Sequence, residues 1–262
     1  MAFIHRIQSV NWQQINWRGW VIPLLFILLW NIASWQNWVN PKLIPAPVDV
    51  LITAWQHVLQ LEFWQSIAAS LWRDLSGFAI GSFFGIAFGI LVGSSKIANY
   101  LFSPSFNVLR QVSLFAWLPL ITTFLDYGNS AKILFISLSV FYPVALHTID
   151  GVRGISAKQY EVAQVYAFSR WQLLRQLILP AAAPQIFVGL QLGLIFAWLA
   201  TIGSEFLLAS YGVGLGNLVI QGRAALDVGL IVFGLIVIGV IGILLNTLAN
   251  QLERRWLHWR NQ

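Results

Sequence analysis

Two ionisable residues, Arg110 and Glu205, lie within or at the ends of long apolar runs. Charge inside a bilayer is costly, so such residues are candidates for function by default. A cationic Arg110 facing a cavity would attract an anion. Glu205 would pair with a basic group or fix a kinked helix by hydrogen bonding. The alternative is that both reach the headgroup region from span ends, as long polar side chains do. Trp117, Gln191 and Trp198 are the further residues on these runs that could line a pathway. Little other chemistry is in view. The acids are few and scattered, with no Ser–His–Asp or metal-ligand spacing. There is no cysteine and only four histidines, so neither disulfides nor a structural zinc site is expected. No GxxxxGK[ST] segment occurs, so the chain carries no Walker nucleotide site. The sequence therefore predicts no enzyme active site and no cofactor bound by this chain.

The elements that must position these residues are membrane helices. Hydrophobic residues make up 58% of the chain and charged residues 9%, against about 25% charged in soluble proteins. Several uncharged runs exceed the roughly 18 residues a spanning helix needs. The fold class is all-α: one polytopic membrane domain over residues 1–262, with about six spans and a core over 70–252. The spans run from about Trp20 to Trp38, Leu75 to Ser94, Val108 to Leu125, Ile133 to Ile149, Ile186 to Leu207 and Val228 to Leu252. The first run reads as a retained span rather than a signal peptide, because it is long and no small-x-small cleavage site follows it. Pro47 to Leu61 is predicted to lie along the membrane surface. Pro119 should kink the third span. Gly77, Gly81, Gly85, Gly89 and Gly93 recur every four residues, which puts a glycine stripe on one helical face for close packing. The glycines from Tyr211 to Gly216 predict a turn. Tryptophans bracket the first span and follow the last, as in an interfacial belt.

Ser156 to Pro184, SAKQYEVAQVYAFSRWQLLRQLILPAAAP, is the longest mixed polar and apolar segment between spans. Ser156 with Gln159, and Ser169 with Gln172, read as two capping boxes. The first helix should end near Ala167 and Phe168. The second should run through Trp171, Leu174 and Leu177 and stop before Pro180, since the residue before a proline avoids helical geometry. The segment thus reads as a two-helix elbow outside the membrane, a docking piece between two spans.

Orientation follows from the basic residues. With six spans, Arg6, Arg18, Lys96, Arg153, Lys158, Arg170, Arg175, Arg254, Arg255 and Arg260 share one side, and Lys42, Arg73, Lys132 and Arg223 the other. The positive-inside rule places both termini and the elbow in the cytoplasm. The net charge of +6 is thereby accounted for without nucleic acid, for which no soluble basic module exists.

Glu161-Val162-Ala163, then Ala167, then Ile178-Leu179-Pro180 resembles the "EAA" loop of ABC importer permeases. Val162 replaces that motif's second residue and Ala167 its glycine, and Ile178 directly precedes Leu179. The run FSRWQLLRQLILPAAAPQIFVGLQLGL is similar to the nitrate, sulfonate and taurine subfamily, and Ser70-Leu71-Trp72-Arg73 resembles the Ser-Leu-x-Arg before its second span. The likeness extends from about Ser70 to about Asp227. It implies that Glu161, Ala163, Ala167, Arg170, Leu179 and Pro180 couple the chain to a separate ATPase subunit, which holds the ATP and Mg. It further implies a second copy of the chain, two ATPase subunits, an external substrate-binding protein and an inner-membrane location. A self-contained secondary transporter or channel is the competing reading. It would more often show buried ion-coupling residues and an internal repeat, and neither is clear here.

Overall fold

The computed structural model describes residues 18–36, 38, 40, 44–208 and 212–256, and all regular structure among them is helical. In chain order, α1 is Arg18–Trp35, α2 Pro47–Val58, α3 Leu61–Ser94, α4 Lys96–Leu109, α5 Leu118–Leu125, α6 Asn129–Arg153, α7 Ala157–Val165, α8 Arg170–Gln172, α9 Leu179–Leu207, α10 Leu215–Ala224 and α11 Val228–Trp256. Four helical runs are long and apolar enough to cross a membrane: α3, α6, the continuous run Arg170–Leu207 and α11. A fifth crossing arises if the bent pair around residues 110–113 counts as one span. Helix α1 covers most of the expected first span, and its apolar part among the described residues, Val21–Trp35, is shorter than a straight helix across the ~30 Å hydrocarbon core.

Helix α6 is the centre of the bundle. Its buried face presents Phe135, Ile136, Val140, Val144 and Thr148. Against it lies the glycine stripe of α3. A Cβ built on any of the five glycines would come within 2.9 Å of α6 atoms, among them Ile136, Val140, Val144, Thr148 and Val152. The missing side chains let two backbones approach, which is how helices gain contact where lipid offers no hydrophobic drive. On its other side α6 receives α9, where Gly189 sits against His147 and Val144. Helix α2 packs beside α11, with Val50, Phe63, Leu218, Leu230 and Phe233 in one cluster.

Three boundaries differ from the sequence expectation. Helix α3 begins at Leu61, well before Leu75, because the polar residues of its first turns are paired inside the protein. The expected third span is broken. Helix α4 ends at Leu109, and the chain resumes after Ser113 with a 95° bend. Pro119 lies in the first turn of α5, where its missing N–H costs nothing, so the break falls at Arg110–Ser113 instead. Finally, the helix beginning at Arg170 does not stop before Pro180. It runs on through a π-helical segment, Leu173–Ile178, into α9. The wider turn accommodates the backbone that the proline cannot bond, so the second arm of the elbow is the start of a span.

Candidate functional site

The elbow is built by its caps. Gln159 accepts from the Ser156 backbone N–H at 3.1 Å. The Ser169–Gln172 box closes in both directions, at 2.8 and 3.3 Å. Between them the chain reverses through a Schellman turn: Phe168 N–H bonds Ala163 O at 3.0 Å and Ala167 N–H bonds Gln164 O at 2.9 Å. That geometry requires a left-handed residue, and Ala167 has φ 50°. The position where the resembling motif carries glycine is thus the one where this backbone asks for it. Ala163 is buried, while Glu161, Val162, Val165, Tyr166, Arg170 and Trp171 are exposed. Leu179 and Pro180 follow at the π-helix junction. Of the six coupling candidates, Ala163 is therefore closed to solvent; Glu161, Ala167 and Arg170 sit on the exposed arm and turn.

At the opposite end of the bundle lies a buried ionic group. Arg73 Nη1 donates to Glu205 Oε1 at 2.5 Å, and neither side chain is open to solvent. Ser70 Oγ donates to the same carboxylate at 2.8 Å, and Gly216 N–H to its other oxygen at 2.8 Å. Arg73 also donates to Asn129 Oδ1 at 2.8 Å and to Val213 O at 2.6 Å. Ser70 Oγ also accepts from Leu215 N–H at 2.9 Å. Glu205 and Ser70 together satisfy two of the free N–H groups that open α10, and a carboxylate there is favoured by the helix dipole. Lys132, buried on α6, adds positive charge near Glu205. Asp74, one residue on from Arg73, accepts from Thr201 Oγ1 at 3.1 Å. The group joins α3, α6, α9 and α10 into one body. It also explains two glycines: a Cβ on Gly214 or Gly216 would lie 2.6 Å from Glu205 atoms.

The family model for the binding-protein-dependent transport system inner membrane component matches residues 81–258. The chain belongs to this family. Among relatives of the permease, one from Bacillus subtilis named for aliphatic sulfonates transport is 34% identical over 244 residues, 93% of this chain and 88% of that one. The bicarbonate transport system permease of Synechococcus elongatus is 35% identical over 195 residues, 74% of this chain and 69% of that one. A chain of the inward-facing MetNI methionine ABC transporter superposes with a TM-score of 0.60 at 16% identity, covering 75% of the permease and 99% of that chain. The last likeness shows a shared fold. The protein is thus a multi-pass component of the inner membrane in a family of ABC importer permeases, which are not enzymes.

The permease does not gather its five pathway candidates around one space. Arg110 is exposed at the end of α4, where the chain bends. Trp117 packs partly buried against the α5–α6 core, and its indole N–H has no partner. Gln191 donates to Asn250 Oδ1 at 3.0 Å and to Glu253 Oε2 at 2.5 Å, tying α9 to α11. Trp198 does the same seven residues on, donating to Ile238 O at 3.2 Å. Glu205, seven further, turns to Arg73. The residues of the ionic group carried partial signals in sequence. Ser70 and Arg73 stood out only as a subfamily likeness, Glu205 as an acid near a span end, and Lys132 as a loop cation. A cavity of about 540 Å3, walled by Phe115, Pro119, Thr122, Thr123, Tyr127 and Leu207, lies along α5 beside the end of α9.

Proposed function

We propose that two copies of this permease enclose a pathway for a small inorganic or organic anion, delivered by an external binding protein and driven by two separate ATPase subunits. The observation that carries this reading is the elbow. Its first arm, α7, and the turn after it lie between the α6 run and the run that starts at Arg170, and each arm opens on a capping box. The elbow exposes an acid near apolar groups: Glu161 with Val162, Val165, Tyr166 and Trp171. Exposed apolar surface of this kind marks an interaction site. It lies on the side where basic residues concentrate, which supports a cytosolic elbow. ATP would draw the two ATPases together, the elbows would follow, and the run from Arg170 into α9 would carry that movement into the membrane.

The cavity along α5 supplies one wall of the pathway, with Thr122, Thr123 and Tyr127 as its polar groups and the second copy closing the open side. Arg110, exposed at the end of α4, attracts the anion. Relatives named for sulfonate and bicarbonate transport support an anionic solute.

Glu161→Lys and Val165→Arg test the docking surface in the complete transporter. Each should lower recovery of the ATPase with the permease by roughly tenfold or more, the effect of about 1.4 kcal/mol, while the permease melts normally. Unchanged assembly together with unchanged transport removes the docking assignment.

A further inference from the structure

A second cavity, of about 380 Å3, opens where the turn between α3 and α4 meets the elbow. Its floor is apolar and includes Val92, Ile155 and Leu173, and its polar rim includes Lys96, Arg153 and Tyr160. No carboxylate lines it, and among the described residues neither Lys96 nor Arg153 makes an ion pair. Asp150, one turn before Arg153 on α6, does not pair with it. Arg153 is held in place by one donor, Nη2 to Asn99 Oδ1 at 2.5 Å, and Asn99 is itself held by Ser103 at 2.5 Å. The rest of the guanidinium fork is unspent. Burial raises the Tyr160 hydroxyl above its ordinary pKa, so it remains a donor.

We propose that this cavity binds a phosphate-type oxyanion through Lys96, Arg153 and Tyr160. Two cations without acidic partners and a preset guanidinium are the chemistry that recognises phosphate. The source favoured by the apolar floor is an anionic phospholipid, whose glycerol and upper acyl carbons would rest there while its headgroup meets the rim. Basic pockets between membrane helices at the cytosolic surface take such headgroups. The walls come from the α3–α4 turn, α6, α7 and the π-helical segment, so a bound phosphate ties the elbow to the bundle. The proposal takes from the proposed function only that the elbow is cytosolic.

Native mass spectrometry of the purified full-length permease, without its ATPase, reads the site directly. Incubated with mixed phosphatidylglycerol and phosphatidylcholine, the protein should retain phosphatidylglycerol. Lys96→Gln, which removes a cation that makes no hydrogen bond, and Lys96→Gln with Arg153→Gln should lower that retention by roughly tenfold, leaving phosphatidylcholine unchanged. The swapped pair Lys96→Arg with Arg153→Lys should keep it. A melting shift by inorganic phosphate in lipid-free detergent, lost in the same variants, would identify free phosphate as the source instead. Equal phosphatidylglycerol retention by the wild type and the Gln variants, with no phosphate-dependent shift, overturns the proposal. Because no ATPase is present, that result leaves the docking assignment standing.

Discussion

Arg73 and Glu205 lie 132 residues apart in the chain and 2.5 Å apart in the fold, in a place closed to solvent. Their contact fixes the far end of α9 to α3. Through Gly216 and Val213 it also seats the short helix α10, so the end of the bundle remote from the elbow is one block.

A buried pair of this kind costs more to half-remove than to remove. Arg73→Met or Glu205→Leu alone leaves one buried charge without its counterpart and should destabilise the permease by about 3–5 kcal/mol. The double variant should recover a large part of that loss. Thermal melts in detergent check it, and equal destabilisation by the single and double variants would contradict a pairing role.

Much of the fold was legible in the sequence because lipid imposes a simple code. Apolar length marked α6, α9 and α11, and four-residue glycine spacing marked the face of α3 that meets α6. The capping boxes of the elbow were legible because each is local, three residues from serine to glutamine. The ionic group was not. Ser70, Arg73 and Asp74 lower the local hydropathy, so the start of α3 read as a connection; only the distant partners Thr201 and Glu205 make those residues compatible with a helix interior. Helix α10 was hidden by its own glycines, which read as a turn. Gly214 and Gly216 are small because Glu205 lies against them, a reason that no local pattern contains. The bend at Arg110–Ser113 was assigned to Pro119, since a proline signals a break but not whether it lies before or within one.

The stripe on α3 separates contact from composition. Gly81→Ala places a Cβ against Ser137 O and Val140 and should cost about 1–3 kcal/mol as overpacking. Gly239→Ala, on α11, meets nothing within 4 Å and should be neutral or stabilise by up to about 1 kcal/mol through helix propensity. Parallel melts of the two variants check the contrast.

Ala167 holds a left-handed backbone at φ 50°, which costs an L-residue roughly 1–2 kcal/mol. Ala167→Gly should therefore slow hydrogen exchange at the amides of Ala167 and Phe168, by up to about tenfold for each 1.4 kcal/mol recovered. Ala167→Val should speed it.

Arg110 is exposed at the bend and makes no ion pair among the described residues. Arg110→Gln should leave the melting temperature unchanged and lower ATP-driven anion uptake by the reconstituted transporter by roughly tenfold, as expected for one lost charge-assisted contact. Uptake equal to wild type would remove Arg110 from the pathway.

The claim that the elbow is a cytosolic coupling device is tested most directly by surface labelling. The chain has no cysteine, so Val165→Cys, at a position 85% exposed, gives a single reactive site on α7. A membrane-impermeant maleimide should label it in inverted membrane vesicles and not in right-side-out ones, and added ATPase subunit should protect it. Labelling from the outer face, or none from either, would contradict the account.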